Sequence, residues 1–139
     1  MKVIDASVET ILPHKAEKVL RLVSVPSEIA SWHPWVKRIA IYEQQGLLYR
    51  RASFVGTDEE LVEKLWQDDN EGAFHSQSVQ GLWADCLYRS KIQIRDHEEG
   101  CVVTWRGRLL RERSGGEAEQ VETFYREGLR GLNDLLDAM

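Results

Sequence analysis

The sequence predicts an α+β fold in which a seven-stranded, curved antiparallel sheet wraps around one long C-terminal helix, in the order β-α-α-β6-α. Three observations carry this. The first is the stretch 117–138, which follows Gly115-Gly116 and places Val121, Phe124, Gly128, Leu132 and Leu135 at helical steps of three and four. The second is a pair of alternating segments, 85–95 and 101–110, joined by the turn-forming Asp96-His97-Glu98-Glu99-Gly100. The third is the opening, where a strand over 2–12 ends at Pro13 and is followed by helical patterns over 14–24 and from Pro26 to Ser31.

In chain order, residues 2–12 turn Ile4, Ala6, Val8, Thr10 and Leu12 to one side. The first helix carries Ala16, Val19, Leu20 and Val23 on one face. Residues 36–43, 47–56, 60–67 and 73–80 read as four strands. In the hairpin, positions summing to 197 face each other, so that Ile94 meets Val103, Ile92 meets Trp105, Ser90 meets Gly107 and Tyr88 meets Leu109. The two apolar sets coincide in this register, which supports it. It also sets Lys91 against Arg106 and Arg89 against Arg108 on the outer face, a destabilising arrangement unless acidic groups stand nearby. The first strand, flanking the last, offers Asp5 or Glu9 to Arg106 or Arg108. At 1.5 Å per residue the final helix is about 33 Å long, enough to cross a small domain. Glu117, Glu119 and Glu122 in its first turns suit the helix dipole.

Length and composition fit a single domain over 1–139, with 42% hydrophobic and 29% charged residues. The net charge of −5 argues against nucleic acid or an anionic membrane as the partner. No apolar run is long enough for a transmembrane helix. Cys86 and Cys101 form neither a disulfide framework nor a zinc spacing, and the expected setting is the reducing cytoplasm. No nucleotide, metalloprotease or nucleophile-elbow motif occurs, so neither a cofactor nor a metal is expected. His14, His33, His75 and His97 are scattered over four elements. A homodimer remains open.

One helix cannot fill a sheet of this size, so a cavity between the two is expected. Alternation turns Tyr88, Ser90 and Trp105 toward the helix positions Phe124, Gly128 and Leu132. Ser90 opposite Gly107 would leave a gap. Gly128 in mid-helix costs about 1 kcal/mol relative to Ala and is explained either by room for a ligand or by close helix–sheet contact. Glu63 points inward with Leu61 and Leu65, unless the strand is flipped and Val62 and Trp66 face the core. An inward carboxylate needs a partner. Phe74, Ser76 and Ser78 share a side. Trp32, His33 and Trp35 sit at one rim of the expected cavity. Leu82 and Trp83, apolar residues in a loop, close the cavity mouth, touch a partner or cover the core.

Several local patterns in this order resemble the START/SRPBCC superfamily, which includes birch-pollen allergens, plant abscisic-acid receptors and bacterial polyketide cyclase/dehydrase-like proteins. They are Leu12-Pro13-His14-Lys15-Ala16 at the first helix, Trp32-His33-Pro34 after the short helices, Glu63-Lys64-Leu65 followed by Asp68-Asp69, Leu87-Tyr88-Arg89-Ser90, and Val103-Thr104-Trp105 before the last helix. Leu87 replaces the family's Asn. The family's Gly-x-x-x-Arg pattern is met by Gly46 with either Arg50 or Arg51. The resemblance implies a helix-grip fold whose cavity holds a small hydrophobic molecule, and it places a polar ligand contact at His33. It also puts gating loops at 56–59 and 80–84.

The resulting expectation is a binding protein, carrier or sensor, for a small hydrophobic or aromatic molecule. Trp105, Phe124, Gly128 and Leu132 form its walls, and His33, Arg51, Glu63, Tyr88 and Ser90 are its polar anchors. The alternative is a polyketide cyclase/dehydratase-type enzyme with His33 or Glu63 as acid–base and Arg51 or Tyr88 as oxyanion donors. A third class is an interaction protein that uses Leu82 and Trp83.

Overall fold

A computed structural model describes residues 3–139. The elements run β1 (Ile4–Leu12), α1 (Ala16–Val23), a 3₁₀ turn (Pro26–Glu28), α2 (Ile29–Trp32), β2 (Val36–Gln44), β3 (Leu47–Phe54), β4 (Glu60–Asp68), β5 (Ala73–Gly81), a second 3₁₀ turn (Ala84–Cys86), β6 (Arg89–His97), β7 (Gly100–Leu109) and α3 (Glu117–Ala138). The strands form one antiparallel sheet in the order β1-β7-β6-β5-β4-β3-β2, as the helix-grip expectation requires. Strand β6 begins at Arg89, later than expected. Leu87 adopts a left-handed backbone (φ 54°), and Tyr88 follows it as the lead-in to the strand.

The β6–β7 register is the one read from alternation, with Ser90 opposite Gly107 and Ile92 opposite Trp105. On the outer face, Arg108 Nε lies 3.6 Å from Asp5 and Lys91 Nζ lies 3.4 Å from Glu71, which relieves the like-charge pairs. Glu9 reaches Thr104 (2.9 Å) and Arg95 (3.7 Å) instead.

On the inner face, one row of directly opposed residues crosses six strands: Leu48, Leu65, Ser76, Ser90, Gly107 and Ala6. A neighbouring row contains Phe74, Ile92, Trp105 and Val8. Small residues in the middle of the first row leave space over the sheet.

Helix α3 fills much of that space with aromatic rings. Trp105 stacks on Tyr125 at 4.5 Å, His33 stacks on Phe124 at 4.0 Å, and Trp32, Trp35, Trp83 and Phe54 pack edge-on around them. Four of the five tryptophans are used in this way. Trp66 lies outside, stacked on His75. The start of α3 is tied down by two carboxylates: Glu112 Oε2 accepts the N–H groups of Gly116 and Ala118, and Glu117 Oε2 accepts those of Arg113 and Ser114.

The glycines set where the helix docks. A Cβ on Gly128 would lie 2.6 Å from His33 Cδ2 and 2.9 Å from Trp105, and one on Gly131 would collide with the Trp32 carbonyl. Gly128 therefore serves close packing, and the expectation of ligand room there is corrected. A Cβ on Gly107 would collide with the Tyr125 hydroxyl, so the gap opposite Ser90 is taken by a tyrosine.

Candidate functional site

A mainly apolar cavity lies beside the region expected. It measures about 190 Å³, is partly open to solvent, and sits between the α1–α2 arm and the sheet from β3 to β7. Its floor is made from the two inner rows, with Leu48, Leu65, Ser76, Ser90, Ile92 and Trp105. Val23, Pro26, Ile29 and Trp32 form the opposite wall. Pro26 opens the 3₁₀ turn because its fixed φ suits a first helical position, and the turn carries Ile29 and Trp32 over the sheet. The volume is below the range of about 300–1,000 Å³ typical of drug-sized sites. The expectation of a void that large is corrected by the aromatic filling around α3.

Ser90 and Trp105 line the cavity as expected. Phe124, Gly128 and Leu132 do not, and neither do Glu63 and Tyr88, which were expected as polar anchors and instead bond Arg50 and Tyr125. Phe124 and Leu132 are buried in the aromatic and aliphatic core, and Gly128 abuts His33.

The cavity-facing arginine is Arg50, and the assignment to Arg51 is corrected. Arg50 stands directly opposite Glu63 across β3 and β4, and its Nη2 donates to Glu63 Oε1 at 2.9 Å. Its Nη1 donates to the Pro26 carbonyl at 3.3 Å, which fastens the 3₁₀ turn to the sheet. Arg51 points the other way and makes a half-exposed pair with Glu60. Glu63 is inward and 4% exposed, as expected. A register shift between Val62 and Glu63 lets Leu61, Val62 and Glu63 all be buried, so both phases proposed for this strand are partly realised.

His33 is a fastening between α2 and α3. Its Nε2–H donates to the Phe124 carbonyl at 2.7 Å, while Nδ1 accepts the Trp35 N–H at 3.1 Å. Burial lowers its pKa to about 4; the Phe124 carbonyl partly opposes the shift, and the Arg50 charge adds to it. The imidazole is thus neutral, with both nitrogens engaged, and the expectation of a polar ligand contact at His33 is corrected. Because Arg51 is also outside, the four groups of the enzyme alternative do not assemble around one point.

Tyr88 is buried and shares a 2.5 Å hydroxyl–hydroxyl hydrogen bond with Tyr125. Burial raises both phenol pKa values, so both remain neutral donors. Ser76 and Ser90 share a second hydroxyl pair at 2.6 Å, on the cavity floor. Trp83 covers the core: it is 4% exposed, packs against Tyr88 and Phe124, and donates Nε1–H to Gln120 at 2.9 Å. The loop at 82–87 is thereby held down over this end of the interior.

Two cavity residues carry unmet hydrogen-bonding capacity. Trp32 Nε1 and Arg50 Nε are buried donors with no partner among the described residues. Trp32 was legible as a rim residue. Arg50 was one of two options, and its orientation follows only from the β3–β4 register.

One group of metal-capable side chains converges among the described residues: Asp68, Glu71 and His75, with ligand atoms within 4.8 Å of one another. Lys91 already places an ammonium 3.4 Å from Glu71, and Asp68 accepts the N–H groups of Asn70 and Glu71. The group is a charged turn.

A mainly apolar cavity roofed by short helices over a curved sheet, with a long helix behind it, defines a ligand-cavity fold. The chain belongs to the polyketide cyclase / dehydrase and lipid transport family, whose model matches residues 3–137. The sequence matches none of the curated proteins. Its fold resembles that of XoxI from Bacillus cereus, at 21% identity and a TM-score of 0.77 over 97% of this chain and 95% of that one. It also resembles major latex-like protein 151 from Panax ginseng (12% identity, TM-score 0.72, 95% and 96% covered) and Ara h 8.0201 (13%, 0.79, 99% and 100%). No helix among the described residues is long and apolar enough to cross a membrane.

Proposed function

We propose that this protein binds a small, mainly apolar molecule in the cavity beneath α2, acting as a carrier or sensor. The observation that carries this is the cavity itself: about 190 Å³, walled by Ile29, Trp32, Leu48, Leu65, Ile92 and Trp105. A cavity of about 150 Å³ lined by Leu, Ile and Phe binds benzene in another protein, so the size suits one ring or a short branched chain. The family description, which couples cyclase/dehydrase activity with lipid transport, supports a ligand of this chemical class. Carriage is favoured over catalysis because His33 and Glu63 already have protein partners.

Native mass spectrometry of the purified protein, followed by a toluene titration read by tryptophan fluorescence, tests this. The expected result is saturable binding that perturbs Trp32 and Trp105. Leu65→Trp, which puts bulk on a half-buried wall position, should abolish binding while the protein stays folded. Binding unaffected by Leu65→Trp would overturn the assignment to this cavity.

A further inference from the structure

We infer that this protein forms a two-fold homodimer in which β2 of one copy pairs antiparallel with β2 of a second, joining the two sheets edge to edge. The inference is independent of the cavity reading. Strand β2 is the last strand of the sheet and has β3 on one side only. The backbone N–H and C=O groups along its free side are a template for another strand. Gln45 and Gly46 are both left-handed, so β2 and β3 meet in a two-residue hairpin whose flanking pair, Gln44 and Leu47, is hydrogen-bonded. Bonded pairs alternate from there. Arg38, Ala40 and Tyr42 therefore turn their backbone groups toward β3, while Ile39, Ile41 and Glu43 turn theirs to the open edge.

The side chains of this strand complement a second copy of themselves. Ile39 and Ile41, opposite Ala52 and Arg50, belong to the inner face, and Arg38, Ala40 and Tyr42 to the outer. A two-fold axis perpendicular to the sheet keeps inner face beside inner face, so opposed positions must sum to an even number. Centring the pair on Ala40 sets Ile39 of each copy against Ile41 of the other, and each such pair exchanges both of its backbone hydrogen bonds. Ile41 is 39% exposed in the single copy and loses that exposure. On the outer face Arg38 of each copy meets Tyr42 of the other, a ring already held by stacking on Tyr49 at 5.4 Å, and a guanidinium over a tyrosine is a favourable contact. Centring on Ile41 instead sets Glu43 against Ile39, and centring on Ile39 sets Lys37 against Ile41.

Charge selects the same orientation. Lys37 and Arg38 stand at one end of β2 and Glu43 at the other, all exposed and none in an ion pair among the described residues. Antiparallel pairing brings each basic end beside Glu43 of the second copy, whereas parallel pairing sets basic end on basic end. The other edge strand, β1, exposes Asp5 and Glu9 and has no ends of opposite sign. The register shift between Val36 and Arg38 ends the regular ladder at Arg38. Each copy thus contributes the short run 38–42, and the expected dimer is weak and reversible, with a dissociation constant on the order of 10–100 μM.

Sedimentation velocity from about tenfold below to about tenfold above that range should show monomer passing to dimer and no further. Amide hydrogen exchange gives a second reading on the unmodified protein. The Ile39 and Ile41 amides should slow several-fold as the concentration rises, while those of Ala40 and Tyr42, already bonded to β3, change far less. Ile41→Lys sets an ammonium against Ile39 of the second copy and should weaken dimerisation at least about tenfold. If that variant does not fold, the exchange pattern decides. A monomer at every concentration, with Ile39 and Ile41 amides exchanging freely, would overturn the inference and leave Lys37 and Arg38 as guards of a free edge. A dimer indifferent to Ile41→Lys, without protection at residues 39 and 41, would overturn it by placing the contact elsewhere. Growth beyond a dimer would overturn the two-fold pairing in favour of head-to-tail contact between β1 and β2.

Discussion

Gly128 on α3 and His33 after α2 approach so closely that a single methyl group on the glycine would lie 2.6 Å from the imidazole. The imidazole cannot swing aside, because both of its nitrogens are hydrogen-bonded to the protein. Gly128→Ala should therefore destabilise the fold by about 1–3 kcal/mol through overpacking, despite Ala's better helix propensity. Urea denaturation measures this. A variant as stable as the parent or more stable would mean that the α2–α3 contact is loose.

His33 also makes stability pH-dependent. Its folded-state pKa of about 4 lies below the ordinary 6.5, so the unfolded chain binds a proton that the folded chain refuses. The contribution is complete above pH 6.5 and is lost as pH falls toward 4, at up to about 1.4 kcal/mol per pH unit and on the order of 3 kcal/mol in all. Unfolding curves from pH 7.5 to 4.5, compared with those of His33→Gln, should show that extra slope in the parent alone.

Arg50 and Glu63 form a buried pair, 15% and 5% exposed at their side chains. Arg50→Ala should cost about 3–5 kcal/mol by stranding the carboxylate, whereas Arg50→Met combined with Glu63→Leu should recover most of the loss. Arg51→Ala, which breaks only the half-exposed pair with Glu60, should cost no more than about 1 kcal/mol. Thermal unfolding of the four proteins checks the order. A larger loss at Arg51 than at Arg50 would reverse the orientation of β3.

The tyrosine pair invites a similar cycle. Tyr88→Phe leaves the Tyr125 hydroxyl buried beside Gly107 without its 2.5 Å partner, and should cost about 1–3 kcal/mol. Adding Tyr125→Phe should cost little more, because no polar group is then stranded. Additive losses in a double-mutant cycle would show that the two hydroxyls do not depend on each other.

These contrasts show which parts of the molecule the sequence makes legible. The β6–β7 register could be read because Ile92, Ile94, Val103 and Trp105 alternate with polar and charged residues, which fixes the inward faces, and the short turn before Gly100 fixes the pairing, although β6 starts and ends later than the alternation suggested. The long helix was equally plain. Strand β3 lacks such alternation, with Leu48 to Arg51 all partly buried, so nothing in the sequence chose Arg50 over Arg51. Register shifts after Val36 and after Val62 further disturb the phase. The cavity's position escaped for another reason. Whether the space over Ser90 and Gly107 stays empty depends on where Tyr88, Phe124 and Tyr125 send their rings, and neighbouring side chains fix that. Trp32, Trp35, Trp83 and Trp105 help to fill that interior, and the cavity that remains lies aside, under Ile29 and Trp32.

The most direct test of the central claim is a methyl-resolved NMR titration with toluene. The account predicts saturable shifts at Ile29, Leu48, Leu65 and Ile92, which wall the cavity, with little change at Val121, Leu132 and Leu136 along α3. Leu65→Trp should remove the saturable shifts while the spectrum stays that of a folded protein. Shifts centred on the α3 methyls and insensitive to Leu65→Trp, or no saturable shift at all, would contradict it.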